Sequence, residues 1–256
     1  MTPPAAWADR LGRHDWQAQT IGKSGASVFR VMAPDGAAFF VKSDAVGPFS
    51  ELPQEIRVLR WLESRNLPAP RVIDELTSEG RHWLLMTALP GADMASSPDR
   101  QPADLVRQCA VALRLLHDVD PADCPFDRRL SVTLPLAHAR AQGGAVDESD
   151  FETIHLGMGA LELYAELAAS VPAESDIVVC HGDASMPNFM SDAGRFTGFI
   201  DCARLGLADR HQDLVIATRS IAHNFGPAAV DQFIAAYGAK LDPEKVAFYR
   251  MLDEFF

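Results

Sequence analysis

Cysteine is scarce in this sequence, with four in 256 residues, and no two of them form a Cys-x-x-Cys pair. Structural zinc sites usually take their thiolates from such closely spaced pairs, so we expect no structural zinc. Disulfide frameworks belong to oxidising compartments, and the spacing of these cysteines does not indicate one. We therefore expect reduced thiols and a cytoplasmic location.

Long apolar runs are missing as well. No stretch approaches the roughly 20 consecutive apolar residues that a membrane-spanning helix needs. The opening segment, MTPPAAWADRLGRHDW, has no basic stretch followed by an apolar one, which a secretory signal requires. We expect neither secretion nor a membrane partner.

Positive charge is in short supply, with 23 Lys and Arg against 35 Asp and Glu and a formal net charge of −12. This balance argues against a nucleic-acid partner, whose phosphates would be repelled, and it favours a cationic substrate. An acidic surface also serves solubility, so charge alone does not decide the function.

The hydrophobic fraction of 48% is typical of a folded protein, and the length suits one large domain or two fused lobes. We expect a monomer, and the sequence leaves a dimer open.

Strand patterns and one helix pattern fill the first part of the chain. Asp35-Gly36 is a hairpin signal, and the apolar run 38–42 predicts the strand that follows it. Ser50 can cap a helix, because apolar residues recur after it at helical spacing. Residues 81–87 predict a further strand, which Pro90-Gly91 ends.

Mostly helical patterns fill the remainder, starting with a helix that Pro102 can open. Residues 177–180 predict a buried strand, and a short hairpin turns at Asp192-Ala193-Gly194. We predict an α/β fold of the α+β type with two lobes. Residues 1–88 form a small sheet-plus-helix lobe, and residues 89–256 form a mainly helical lobe.

The segment HGDASMPNFM and the following FTGFID carry the chemistry. Asp183 follows the buried strand on a loop, Asn188 comes five residues later, and Asp201 closes the next strand. The oxygens of Asn188 and Asp201 suit Mg²⁺ on nucleotide phosphates, while Asp183 orients a substrate hydroxyl and accepts its proton. The alternative is that Asp183 caps a turn and Asn188 bonds backbone, but the whole constellation favours the site.

These segments, with GFIDCARLGLADRHQDLVIATR and the terminal LDEFF, resemble the aminoglycoside phosphotransferases, and in particular the 3′-type enzymes, which share the protein-kinase-like fold. The resemblance runs from about residue 22 to residue 256. The HGDxxxxN core also occurs in choline, fructosamine, homoserine and macrolide kinases, so it is specific for phosphoryl transfer and not for the acceptor.

This resemblance implies an ATP-dependent O-phosphotransferase that uses Mg²⁺. Its reaction would transfer the γ-phosphoryl group to the 3′-hydroxyl of kanamycin- or neomycin-type antibiotics and give resistance. One alternative is a kinase of the same fold that acts on another small cationic or sugar-like substrate. A non-catalytic relative is a further alternative, but it would be expected to lack residues that are present here, namely Lys42, Asp183, Asn188 or Asp201.

The resemblance also implies an ATP site in residues 1–88 and catalysis in residues 89–256. Lys42 matches the lysine that pairs with the α- and β-phosphates, and Glu55 matches the glutamate that holds it. A surface ion pair is the alternative for these two residues. The other implied positions are Ser24 over the β-phosphate, Met86 at the adenine (otherwise plain core), and the backbone of Thr87 and Leu89 at the adenine edge.

A cationic substrate needs carboxylates, and the resemblance places several near the end of the chain. Glu254 and the carboxylate of Phe256 match residues that bind drug ammonium groups, with help from Asp253. Alternatively, the two acids simply solvate the last helix. Arg204 matches an arginine near Asp183 and the phosphates. The two acids in the loop that covers substrate in relatives are Asp150 and Glu152.

Four further positions complete the comparison with the family pattern. Asp213 matches the aspartate that ties down the catalytic loop, and we expect His181 to support the backbone of that loop. His223 and Asn224 stand where relatives commonly have acids that contact substrate amines. Each lost charge-assisted contact is worth roughly 1.5–3 kcal/mol, so we expect a narrower drug range or weaker affinity.

Overall fold

The computed structural model describes residues 4–19, 26–97 and 101–256. The chain divides into two units by its internal contacts. The first unit contains Met1–Pro90 and Thr197–Ala203, and the second contains Gly91–Phe196 and Arg204–Phe256. Among the described residues, no helix combines the length and the apolar character that crossing a membrane requires.

A five-stranded antiparallel sheet forms most of the first unit, in the order β1-β2-β3-β5-β4. Its strands are β1 (Asp15–Gln19), β2 (Ser27–Met32), β3 (Ala38–Ala45), β4 (Val72–Ser78) and β5 (Arg81–Thr87). The short helix α1 (Ala8–Leu11) precedes the sheet, and α2 (Leu52–Ser64) connects β3 with β4. Gly36 has a φ of 89° in the turn before β3, which confirms the predicted hairpin there.

Alternation along β3 sends neighbouring side chains to opposite faces of the sheet. Val41 is fully buried in an apolar cluster with Trp7, Leu11 and Leu85. Lys42 therefore points to the other face, where α2 packs. The predicted strand at 81–87 is confirmed as β5.

The predicted cap of α2 is wrong. The helix begins at Leu52, and the Ser50 hydroxyl instead donates to Asp44 Oδ2 at 2.6 Å. Asp44 Oδ2 also accepts the N–H of Leu52 at 3.4 Å, so this carboxylate, and not the Ser50 oxygen, is the acceptor at the start of the helix.

Helices dominate the second unit. They are α3 (Pro102–His117), α4 (Leu130–Gln142), α5 (Ala160–Ala169), α6 (His211–Phe225), α7 (Ala228–Tyr237) and α8 (Pro243–Asp253). The strands are β6 (Ala92–Asp93), β7 (Ile177–Cys180), β8 (Phe189–Asp192), β9 (Arg195–Phe199), which continues into the first unit, and β10 (Gly206–Asp209). The predicted helix start at Pro102 and the predicted strand 177–180 are confirmed.

The packing of this unit positions the loop after β7. Helix α3 packs against α7, and α6 packs against α7 and α8. Strand β7 pairs antiparallel with β10, with Cys180 opposite Gly206. Because β7 ends at Cys180, the residues that follow it emerge from a fixed, buried strand.

Candidate active site

A buried ion pair joins β3 and α2 in the first unit. Lys42 Nζ donates to Glu55 Oε1 at 2.7 Å, and the two side chains are only 7% and 5% exposed. Lys42 also donates to the carboxylate of Asp201. Burial alone would lower the pKa of Lys42, but the carboxylates of Glu55 and Asp201 outweigh burial and raise it above its usual range. Lys42 is thus held as a fixed, protonated cation.

Asp201 follows β9 and has a left-handed backbone, with φ of 57°. That region is costly for residues other than glycine, by about 1–3 kcal/mol, and tends to persist where function or packing enforces it. The side chain is 48% exposed while one oxygen accepts from Lys42. Asp201 therefore presents a carboxylate to solvent beside the fixed lysine.

The loop that carries Asp183 is tied down by Asp213 of α6. The Asp213 carboxylate accepts the backbone N–H groups of His181 at 2.6 Å and Gly182 at 2.8 Å. His181 Nδ1 accepts the N–H of Asp183 at 3.3 Å. The structural role predicted for Asp213 and the loop-supporting role predicted for His181 are both confirmed.

Gly182 makes this tight turn possible. Its φ is +82°, and a Cβ there would lie 2.3 Å from the carbonyl oxygen of Arg204. Only glycine avoids both the backbone strain and the clash. The turn sets the Asp183 carboxylate, 26% exposed, 3.4 Å from Arg204 Nη2.

Asn188 ends a short 3₁₀ turn, Met186–Asn188, and is 6% exposed. Its amide nitrogen donates to the Asp183 carbonyl at 3.0 Å. The backbone bond foreseen as an alternative is therefore present, and it uses only the nitrogen end of the amide. An amide oxygen and a carboxylate are both hard oxygen ligands of the kind that Mg²⁺ prefers, so the residue types of Asn188 and Asp201 each fit the ion. Their metal-binding roles stay predictions.

Asp253, at the end of α8, lies between two arginines. Its Oδ1 is 3.6 Å from Arg204 Nη1, and its Oδ2 accepts from Arg219 Nη2. Burial raises the pKa of Asp253, and the two guanidinium groups offset only part of that shift. The side chain is 10% exposed, so it does not simply solvate a helix face.

Glu152 is the second acid in this set. It pairs with Arg219 at 3.2 Å and also accepts from Arg250. Burial would raise the pKa of Glu152, but the hydrogen bonds from Arg250 and Arg219 outweigh burial and lower it.

The side chain of Glu254 contacts the segment that contains Glu152 and His155. Its Oε1 accepts the N–H of Glu152 at 2.9 Å and contacts His155 Nδ1 at 2.8 Å, with a side chain 5% exposed. Asp150 is exposed at the end of the turn Glu148–Asp150. The ring of Phe256 lies 6.0 Å from the Arg204 guanidinium carbon. The substrate roles of these three residues stay predictions.

The nucleotide positions predicted in the first unit differ in accessibility. Met86 is 4% exposed in β5. The N–H of Thr87 already donates to the Arg71 carbonyl at 3.0 Å, which leaves Leu89 as the better candidate for a backbone donor to adenine. Ser24 lies outside the described residues. All of these nucleotide contacts stay predictions.

A small cavity of about 20 Å³ lies within the second unit beside the Asp183 loop. Gly182, Arg204 and Asp253 line it, together with Gln212 and Tyr249. The Gln212 Oε1 and Tyr249 hydroxyl atoms are buried and have no hydrogen-bond partner among the described residues. Polar side chains therefore line the cavity next to Gly182.

Residues 18–249 match the phosphotransferase enzyme family. The chain is 37% identical over 256 residues to an aminoglycoside 3′-phosphotransferase of Streptomyces fradiae, covering 95% of this chain and 96% of that one. The chain belongs to the aminoglycoside phosphotransferase family. The predicted family, the α+β fold class and the enzyme class, a phosphotransferase with an alcohol acceptor, are confirmed.

Two solved structures of relatives extend this similarity to three dimensions. An aminoglycoside 3′-phosphotransferase of type VIII superposes with a TM-score of 0.90 at 37% identity, covering 98% of this chain and 97% of that one. The phosphotransferase APH(3″)-Id from Streptomyces rimosus, in complex with ADP and streptomycin, superposes with a TM-score of 0.84 at 28% identity. The match covers 98% of this chain and 95% of that one.

The sequence predicted Arg204 at this site, but not Arg219 or Arg250. Arg219 and Arg250 hold Glu152, and Arg219 also holds Asp253. Both lie on helices, where an arginine is usually a solvated surface charge. The only available signal was that several acids were predicted to converge, since converging carboxylates need cations nearby.

Proposed function

We propose that this enzyme transfers the γ-phosphoryl group of ATP to the 3′-hydroxyl of kanamycin- and neomycin-type aminoglycosides and so confers resistance to them. The observation that carries the proposal is the placement of Asp183: a partly exposed carboxylate on a loop fixed by Asp213, with Arg204 beside it. The similarity to 3′-phosphotransferases over nearly the whole chain supports the same acceptor position.

Asp183 orients the acceptor hydroxyl and takes its proton as the reaction proceeds. A new bond forms between the drug oxygen and the γ-phosphorus, the bond from the γ-phosphorus to the bridging oxygen breaks, and ADP leaves with that oxygen. Arg204 holds the Asp183 carboxylate in place and supplies positive charge near the transferred group.

Lys42 pairs with the phosphates of ATP, and Glu55 fixes the direction in which its ammonium group points. Asn188 and Asp201 are the residues that would hold Mg²⁺. When bound, the ion neutralises charge on the phosphates. Because the Lys42–Glu55 pair is buried, its role is orientation rather than stability, since desolvation offsets much of the attraction.

Drug recognition rests on the acids of the second unit. Four carboxylates, those of Glu152, Asp183, Asp253 and Glu254, are interleaved with three guanidinium groups. This arrangement keeps an excess of negative charge while each buried acid retains a partner. An ammonium group of the drug binds these carboxylates in place of the guanidinium groups or beside them. Asp150 and the Phe256 carboxylate add further negative charge for the drug.

A second acceptor class has its own support. His223 and Asn224 are exposed on α6 and stand where relatives commonly have acids. A relative with 28% identity is a 3″-type enzyme that binds streptomycin. Phosphorylation of a different hydroxyl, or of another small cationic substrate, is therefore the competing proposal.

The position of the phosphate in the product separates these proposals. Kanamycin and streptomycin are each incubated with the purified enzyme and Mg²⁺-ATP, and the products are examined by phosphorus–proton correlation NMR. We expect the kanamycin product to couple its phosphorus to the proton on C3′, with streptomycin unchanged. Coupling to another ring position, or modification of streptomycin alone, would contradict the 3′ assignment.

A further inference from the structure

A continuous chain of hydrogen bonds runs from the surface of the second unit to the catalytic loop. Arg210 Nη1 lies 2.9 Å from the Tyr237 hydroxyl, and that hydroxyl lies 2.7 Å from His117 Nδ1. His117 Nε2 lies 3.0 Å from Asp213 Oδ2. Asp213 in turn accepts the N–H groups of the loop that carries Asp183.

The interior of this chain is dry. The side chains of His117 and Asp213 are 0% exposed, and Tyr237 is 1% exposed. Arg210 is fixed at the outer end, because it pairs with Asp176 at 2.8 Å. Arg114 Nη1 holds the Tyr237 carbonyl at 2.5 Å, which ties α7 to α3. Each side chain of the chain from Arg210 to Asp213 is therefore held by at least two polar partners.

Donor and acceptor counting fixes the direction of the chain. Arg210 can only donate, so the Tyr237 oxygen accepts from it and has its own proton left to give. The only other partner of that hydroxyl within the described residues is His117 Nδ1, and only an accepting Nδ1 gives the buried Tyr237 proton a partner. In this arrangement His117 carries its proton on Nε2, and that N–H donates a hydrogen bond to Asp213 Oδ2. Burial raises the pKa of Tyr237 to about 12, more than Arg210 lowers it, so the hydroxyl keeps its proton.

We infer that Tyr237 is a positioning residue for the phosphoryl transfer: its hydroxyl selects the Nε2–H tautomer of His117, which orients Asp213 and, through it, the loop that holds Asp183. The inference rests on the proposed function for its kinetic part. No atom is transferred between the hydrogen-bonded side chains. Arg210 contributes by fixing the position of the Tyr237 hydroxyl.

The first test reads the tautomer directly. Protein labelled with ¹⁵N in histidine side chains is examined by NMR, with His117 assigned from the spectrum of His117→Gln. We expect a neutral His117 with its proton on Nε2. A proton on Nδ1, or an imidazolium, would overturn the inference. This arm does not depend on activity, so it still decides the inference if kanamycin proves not to be a substrate.

The second test is a double-mutant cycle on turnover. Tyr237→Phe removes the hydroxyl and should lower kcat for kanamycin about tenfold, with KM for ATP and kanamycin within about twofold. His117→Gln keeps an N–H donor for Asp213 but has no tautomer to select. Adding Tyr237→Phe to His117→Gln should therefore change kcat by less than about twofold.

Equal losses in both backgrounds would show that Tyr237 acts through packing alone and would overturn the inference. An unchanged kcat in Tyr237→Phe would do the same. Tyr164→Phe is the matched control, because Tyr164 is a half-buried tyrosine of α5 whose ring stacks on His138. If Tyr237→Phe fails to fold, Arg210→Lys tests the same chain from its outer end, with an expected kcat loss that His117→Gln again suppresses.

Discussion

Lys42 and Glu55 form an ion pair that is almost completely withdrawn from solvent, with 2.7 Å between Nζ and Oε1. Removing one partner of such a pair leaves a buried charge without compensation. The consequence for function is orientation: the lysine cannot swing away from the position in which β3 and α2 hold it.

Glu55→Gln tests this orientation while keeping the size of the side chain. We expect KM for ATP to rise about tenfold, with a smaller change in kcat, because the ammonium group loses its charged partner. Steady-state kinetics with varied ATP measures the effect. The control is Glu75→Gln, which breaks the exposed pair with Arg60 and should leave both constants unchanged. An unchanged KM in Glu55→Gln would contradict the role given to the pair.

Asp183→Asn removes the proton acceptor and preserves the shape of the loop. Turnover should fall by roughly 10²- to 10⁴-fold, while ATP affinity stays nearly the same. Rapid-quench kinetics and nucleotide titration measure the two quantities separately. Asp192→Asn, which changes an exposed acid at the end of β8, provides the control. Near-normal turnover in Asp183→Asn would show that the assigned role is wrong.

His223→Glu with Asn224→Glu restores acids to the exposed end of α6. Each new charge-assisted contact with a drug amine should lower KM for kanamycin about tenfold or more without changing kcat. The matched comparison replaces the same two residues with glutamine, which adds length without charge. If the glutamine variant improves KM as much as the glutamate variant, the neutral pair does not limit affinity through charge.

Stability at low pH should depend on Asp209 of β10. Burial tends to raise its pKa, but hydrogen bonds from His211 and Lys245 outweigh burial and hold the pKa well below its usual range. A depressed folded-state pKa contributes stability above the unfolded value of about 3.9, and that contribution is lost as pH falls towards the folded value.

Asp209→Asn should therefore cost about 3–5 kcal/mol of unfolding free energy at pH 7, since Lys245 is left buried without its partner. Urea denaturation at pH 7 and at about pH 3.5 measures this, and the difference between the variant and the wild type should shrink at the lower pH. Asp231→Asn, an exposed acid of α7, should show neither effect. A constant difference across this range would contradict the assignment.

Local patterns predicted the elements that local forces determine. The strand 81–87 and the helix from Pro102 follow from apolar runs and a helix-starting proline. Strand β4 was not predicted, because Asp74 and Glu75 interrupt its apolar pattern and only the pairing with β5 defines it. Helix α4 was missed because Pro135 lies inside it, where packing overrides a poor helix former.

The residues that carry the chemistry could be predicted from the sequence, whereas most of the side chains that hold the acids of the second unit could not. Asp183, Asn188 and Asp201 lie in two neighbouring segments of the sequence, so their chemistry is visible there. The partners of Glu152 and Asp253 come from helices that are distant in sequence, and only the fold brings Arg219 and Arg250 to them. The same holds for Tyr237 and His117, which are 120 residues apart. The expectations of a monomer and of a cytoplasmic location stay predictions.

The most direct test of the central claim measures ADP release with Mg²⁺-ATP and a small set of acceptors: kanamycin, neomycin, tobramycin, streptomycin and choline. Tobramycin lacks the 3′-hydroxyl, so it is matched to kanamycin at the position that matters. We predict turnover with kanamycin and neomycin and none with tobramycin. Equal turnover with tobramycin, or turnover with choline alone, would contradict the claim that the 3′-hydroxyl of an aminoglycoside is the acceptor.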